Sequence, residues 1–456
     1  MASLMSLSTE LKLIIIECLE AGGGSFEKDE KDERFELWKA QEDDWPRVLP
    51  TTNMDILNLS CANRLFRKLT VPFLFKTVIL RNTEASARSL QTLATGPYAS
   101  LVKRIEYLAR VDLPGCYPEF RRDKDVDSFA PKAEDFPAEL EDILANLNRF
   151  ENLNTVGVEF PWDEFQYLGG WFFEEFGRTE SLQAECEEGW RDLMAKSYTA
   201  LTKNDVGIVK KLALRNVVPQ EVNIWRSDEW HRFLGELEGF EISLRGGNNG
   251  AGWCISLLDC YARFVSTLPE LFFDHLRKVR DVRFFATDEG PVRGGRINAH
   301  LFNFSPTSMP NLQRVSHSYI FLSRGFVDFL TSHAHTLQSI RFYNAYVEPG
   351  HELQQQGREL LEGEFCTWKP FFDAMQHAEP AFPELQEFDM DWGVNYGISG
   401  SFGTIPKEFR LPYVSVDDKY GDIQWEGADE GPEFLDNDLI AYREFQRLVE
   451  TNRKGI

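Results

Sequence analysis

No pair of cysteines is spaced as CxxC in these 456 residues, and the seven cysteines are odd in number and far apart. That pattern argues against a disulfide framework or a cysteine zinc site, and it fits a reducing compartment, cytoplasmic or nuclear. No run approaches the roughly 18 consecutive apolar residues of a membrane-spanning helix, so no membrane partner is expected. The apolar stretch 11–19 is broken by Lys12 and Glu17 and follows no basic segment, unlike a signal peptide. Positive charge is scarce too: 49 Lys and Arg face 73 Asp and Glu, for a net charge of -24. Nucleic acid is therefore excluded as an expected partner, because phosphate binding relies on neutralisation by Lys and Arg.

Signatures of catalysis are equally thin. The glycine-rich segment 246–252 has neither a GK[ST] ending nor a dinucleotide fingerprint. His333 and His335, with His317 a strand away, are the best metal candidates, but a spacing of two puts the first pair on different faces of a helix. Asp389 with Asp391, and Asp417 with Asp418 and Asp422, are paired carboxylates on an outward strand face and in a loop, where solvation is their ordinary fate. No catalytic residue, metal site or cofactor is assigned.

What the sequence does hold begins at residues 7–19, LSTELKLIIIECL. Ser8 is placed to cap a short helix with Glu10 in its first turn and Leu11, Ile14, Ile15 and Cys18 at helical spacing. Residues 53–80 predict a second helix capped by Asn53 or Asp55 and a further helical stretch ended by Pro72. A β-branched strand then follows over 76–80. Residues 27–44 separate these pieces: thirteen of the eighteen are charged, which predicts a mobile insertion within 20–52.

Glu10, Leu11, Cys61, Arg64, Phe66, Leu69, Pro72, Leu74, Phe75, Val78 and Leu80 fall on one known pattern. It runs from a Leu-Pro-x-Glu-Leu helix to a Cys-Arg-x-Phe helix and a Pro-x-Leu-Phe-x-x-Val-x-Leu exit, and in it this chain resembles the fungal F-box proteins. Ser8 departs from the usual proline, and the long insertion departs from the usual short loop. The resemblance implies a helical module over 1–80 that docks on the adaptor protein of cullin-RING ubiquitin ligases. It also implies that Leu7, Leu11, Ile15, Cys61, Arg64 and Phe66 make that contact.

Downstream, a six-residue unit recurs with apolar residues at its first, fourth and sixth positions: 153–158 (LNTVGV), 209–214 (VKKLAL), 237–242 (LEGFEI), 279–284 (VRDVRF), 312–317 (LQRVSH), 337–342 (LQSIRF) and 385–390 (LQEFDM). Units at 75–80 and 102–107 begin the series. In such a unit the fourth and sixth residues point one way from a short strand, and the third, fifth and seventh point the other. The fourth-position residues are Val78, Ile105, Val156, Leu212, Phe240, Val282, Val315, Ile340 and Phe388, with Val414 a tenth candidate. The longer gaps hold helical stretches at 137–147, 181–202, 254–278, 325–337 and 368–377. Strand then helix, repeated, predicts an α/β chain: an irregular leucine-rich-repeat solenoid over 81–437, parallel strands on the concave face and helices outside, closed by a capping helix at 438–456. The asparagine expected three residues after the sixth position is missing. The aromatic residues crowded at 162–176 are expected to pack on the solenoid's flank.

Residues 205–345 hold 16 Lys and Arg against 14 acids, whereas residues 346–456 hold 9 against 23. On these central strands, Lys211, Arg215, Arg283, Phe285, Arg314, Arg341 and Tyr343 face away from the apolar positions. Stacking would gather them into one strip suited to an acidic or phosphorylated protein substrate, unless neighbours such as Glu241 and Asp281 pair with the arginines. The expected function is that of a non-catalytic substrate receptor. The alternatives are a repeat scaffold without a ubiquitin-ligase role and an enzyme with an unrecognised site.

Overall fold

The computed structural model describes residues 7–20, 54–109, 136–160, 185, 189–247, 254–255, 258–287, 289–290, 292, 304–347, 366–391, 411, 414–416, 423–425 and 432–455. The charged insertion, the aromatic segment 162–176 and the carboxylates Asp417, Asp418 and Asp422 lie outside these residues.

Three helices open the chain: α1 (Thr9–Glu20), α2 (Met54–Ala62) and α3 (Arg64–Leu74). Ser8 caps α1, its hydroxyl accepting from Leu11 N at 3.3 Å, and Asn63 caps α3 by accepting from Phe66 N at 2.9 Å. Asp55 lies inside α2 rather than at its cap. Pro72 sits within the last turn of α3, so the helix runs two residues past it. The helices pack on one another with Ile16, Ile56 and Phe66 buried.

A nine-stranded parallel sheet follows, with its strands in chain order. Its members are β1 (Thr77–Arg81), β2 (Arg104–Leu108), β3 (Thr155–Glu159), β4 (Lys211–Val217), β5 (Gly239–Leu244), β6 (Asp281–Phe285), β7 (Arg314–Phe321), β8 (Ser339–Tyr346) and β9 (Glu387–Asp391). Every fourth-position residue from Val78 to Phe388 is the register partner of the next, so these nine form one row across the sheet. Val414 is the exception. It starts β10 (Val414–Val416), which pairs antiparallel with β11 (Ile423–Trp425) in a separate ribbon.

Helices connect the strands: α4 (Glu84–Ala94), α5 (Ala138–Ala145), α6 (Gly189–Thr202), α7 (Asp228–Gly235), α8 (Asp259–Leu271), α9 (Arg324–Ser332) and α10 (Trp368–Gln376). Thr83, Ser227 and Ser323 cap α4, α7 and α9, each side chain accepting from the backbone N–H three residues on. Each of the five predicted helical stretches holds a helix, but α8 and α9 are shorter than predicted and α9 lies in the short gap between β7 and β8. The helices α4 and α7 occupy two of the shorter gaps.

Fourth- and sixth-position side chains join buried helical residues in one apolar cluster, for example Val156 and Val158 with Leu140 and Ile143. At its middle the Tyr198 ring lies 5.4 Å from both Trp225 and Trp230. Burying each such side chain contributes roughly 1.5–3 kcal/mol. The last helix, α11 (Pro432–Lys454), packs on α10 and β9, with the Phe445 ring 4.9 Å from Phe388. It begins six residues before the predicted cap, and its buried residues Ala441, Phe445 and Val449 share one helical face.

The missing asparagine has a local explanation. Past the sixth position, Asn216, Tyr319 and Asn344 adopt left-handed backbone (φ 49°, 50° and 49°) at the same place in β4, β7 and β8. At Asn216 the register of β4 on β5 shifts by one residue, a bulge, whereas β7 and β8 keep one register through Tyr319 and Asn344. The ladder then resumes, Arg245 N donating to Val217 O at 2.9 Å and Leu322 N to Tyr346 O at 2.8 Å. Val217, Ile320 and Ala345, which stand where the asparagine was expected, are thus members of the backbone ladder.

Candidate functional site

Two surfaces carry the predicted residues. On the helical module, Leu11, Ile14 and Leu65 are 49%, 50% and 38% exposed, a large apolar presence for residues of their type. Cys61 and Arg64 are also exposed, while Leu7 and Ile15 are half-buried. Phe66 does not belong to this surface. It is 3% exposed, because the Asn63 cap fixes a helical register that turns it into the interior with Ile16 and Ile56.

On the sheet, the register does place the third, fifth and seventh positions on the face opposite the apolar cluster. Electrostatically, however, the strip is not a row of available arginines. Arg215 on β4 donates through Nη1 to Glu106 Oε2 on β2 at 2.6 Å, and through Nε to Glu241 on β5 at 3.2 Å. Arg104 also pairs with Glu106, whose side chain is only 2% exposed. Burial alone would raise the Glu106 carboxyl's pKa, but the charges and hydrogen bonds of Arg215 and Arg104 outweigh it and hold the group below its ordinary value. Burial opposes the Arg215 charge, and Glu106 and Glu241 more than offset that.

Between these partners runs β3, and Gly157 is the residue that lets Arg215 reach across it. A Cβ there would stand 2.7 Å from Glu106 Cδ and 3.0 Å from Arg215 Nη1. Farther along, Arg283 and Arg314 share Asp281, at 3.4 and 3.2 Å. Arg341 pairs with Glu387 at 2.7 Å, and Ser339 donates to the other oxygen of that carboxylate at 2.7 Å.

Lys211 is exposed and Phe285 half-buried. Tyr343 is 1% exposed and offers no binding surface: the ends of β7 and β8 pack in an aromatic group, with its ring 6.4 Å from Tyr319 and the Tyr319 ring 6.2 Å from Tyr346.

At the other end of β3, Glu159 accepts from Asn216 Nδ2 at 2.6 Å; burial raises its pKa, against the pull of Arg215. Arg245 is 8% exposed, and burial lowers its pKa to about 10. Neither residue is among those predicted: Glu159 is an acid in the row of Arg215, and Arg245 follows β5 beyond that row.

The three histidines do not converge on a ligand position. His317 is enclosed by Phe284, Phe304 and Phe326, at ring distances of 5.9, 5.5 and 5.1 Å, and burial lowers its pKa to about 3. The ring nitrogens of His333 lie 2.8 and 2.9 Å from the carbonyls of Phe329 and Ser308, and His335 is exposed. Among the described residues no group of three or more His, Cys, Asp or Glu could hold a metal ion, and no helix is long and apolar enough to cross a membrane. In the glycine-rich segment, Gly246 packs against Thr287, where a Cβ would meet the threonine side chain; 248–252 lies outside the described residues. Asp389 is exposed on β9.

No protein-family model matches the chain, and no curated protein matches it.

Proposed function

We propose that this chain is a substrate receptor of a cullin-RING ubiquitin ligase, with an F-box-like module at its start and an irregular leucine-rich-repeat solenoid behind it. The observation that carries the reading is the exposure of Leu11 and Ile14 on α1 and of Leu65 on α3. These are three large apolar side chains on a small helical unit directly before the first strand of the sheet. Apolar surface left in water suits a partner, and the resemblance of residues 10–11 and 61–80 to the F-box pattern makes the ligase adaptor the partner we propose. The polar face of the nine-stranded sheet would then hold the substrate, in the cytoplasm or nucleus. The chain itself would contribute no catalytic group.

A repeat scaffold without an adaptor is the second reading, favoured by the burial of Phe66, which removes one residue from the expected contact. A pull-down from native lysate with mass spectrometry separates the two. Wild-type protein should recover adaptor and cullin, and Leu11→Asp should lose both while keeping its other partners. Recovery of partners without any adaptor from the wild-type chain would favour the scaffold.

A further inference from the structure

The inner rows of the sheet are electrically balanced, but its starting edge is not. Backbone bonds stack the residues immediately before the strands in one line: Asn154 N donates to Lys103 O at 3.1 Å, Lys210 N to Asn154 O at 2.9 Å, Glu238 N to Lys210 O at 2.7 Å and Arg280 N to Glu238 O at 2.8 Å. Lys76 starts that line, its carbonyl accepting from Lys103 N at 2.9 Å. The next row in register holds Arg104, Lys211 and Arg314. From β1 to β7 these two rows carry seven cations against Glu238 and Asp281, on a chain whose net charge is -24; Arg104, Lys210 and Arg314 are paired, with Glu106, Glu238 and Asp281.

Lys103, Lys211 and Arg280 are exposed and make no ion pair with a described residue. Lys103 and Arg280 stand in the line before β2 and β6, and Lys211 stands between them at β4, one residue farther along its strand. Alternate strands of a sheet lie about 9.6 Å apart, and three residues of polyproline II chain advance about 9.3 Å and return to the same side.

We infer that this starting edge is a docking track for an extended acidic protein segment carrying carboxylates at every third residue and crossing the strands. The inference rests on the reading of the sheet as a substrate platform, and it moves the contact from the paired arginines to the edge. Nucleic acid and anionic membrane present the same sign of charge over a wider surface. They would press phosphates against the acidic remainder of the chain, which favours a narrow peptide.

A labelled twelve-residue peptide of four Glu-Pro-Pro repeats tests the idea by fluorescence anisotropy in low salt, beside a peptide of the same composition with its glutamates in one block. The repeat peptide should bind about tenfold tighter than the block. Lys103→Glu combined with Lys211→Glu should weaken repeat binding by at least about tenfold, with the thermal midpoint unchanged because both side chains are exposed. Equal binding of the two peptides, indifference to the double reversal, or stronger binding of a twelve-nucleotide single-stranded DNA or of anionic vesicles would overturn it. Adaptor recovery by the double variant keeps the outcomes apart: lost peptide binding leaves the receptor reading standing, and a missing adaptor in the wild type leaves the track standing.

Discussion

Replacing Gly157 by alanine should break a charge network whose members lie on other strands. The added Cβ would intrude on the Glu106 carboxylate where it meets Arg215. Since Glu106 is 2% exposed, it has no room to swing into solvent without losing both guanidinium partners. Breaking a buried ion pair by removing one partner costs about 3–5 kcal/mol, because the charge left behind is buried and unpaired. Gly157→Ala should therefore cost about 3 kcal/mol, and Glu106→Ala about 3–5 kcal/mol. In the Glu106→Ala background the alanine Cβ meets only the flexible end of Arg215, so adding Gly157→Ala should cost less than about 1 kcal/mol and give a coupling of about 2–3 kcal/mol. Urea unfolding followed by tryptophan fluorescence reads this directly, since Trp225 and Trp230 are fully buried in the core beside β4 and β5. Additive costs across the cycle would refute the reasoning, because the glycine would then matter for something other than the passage of the Glu106–Arg215 pair.

His317 should make the fold acid-sensitive. Burial holds it neutral in the folded chain down to about pH 3, while the unfolded chain takes up the proton below about 6.5. Stability is therefore fully present above pH 6.5 and is lost as pH falls toward 3, by up to about 1.4 kcal/mol per unit. His317→Leu should flatten the unfolding free energy against pH in that window, and an unchanged slope would contradict the burial argument. Phe445→Ala, which removes a fully buried ring from the closing helix, should cost about 3–5 kcal/mol in the same urea assay. A loss below about 1 kcal/mol would mean that α11 is not needed to cover the end of the sheet.

Nine strands were legible because their signal is local: apolar residues at the first, fourth and sixth positions, repeated wherever a strand must bury one face. Val414 shows the limit, since an isolated apolar strand says nothing about the strand it will pair with. The left-handed residues Asn216, Tyr319 and Asn344 leave no comparable mark, and nothing local shows that Tyr343 is buried against Tyr319 where the strand ends meet. Alternation placed Arg215 and Arg341 on the correct side of the sheet. It offered Glu241 and Asp281 as partners for the arginines, which the structure pairs with Arg215, Arg283 and Arg314, but not Glu106, which is 109 residues from Arg215 and meets it only through the register. Phe66 was legible as an apolar helix residue, but whether such a residue turns inward or outward depends on how α1, α2 and α3 pack.

The receptor reading rests on the exposure of Leu11 and Ile14 on α1 and of Leu65 on α3, and gel filtration of purified components tests it most directly. Mixed with adaptor, cullin and RING subunit, the wild-type chain should elute as a stoichiometric complex. Leu11→Asp should elute alone with an unchanged melting temperature, because a residue 49% exposed can carry a charge without unfolding its helix. A wild-type chain that elutes apart from the adaptor, or a Leu11→Asp variant that unfolds instead of merely dissociating, would contradict the account.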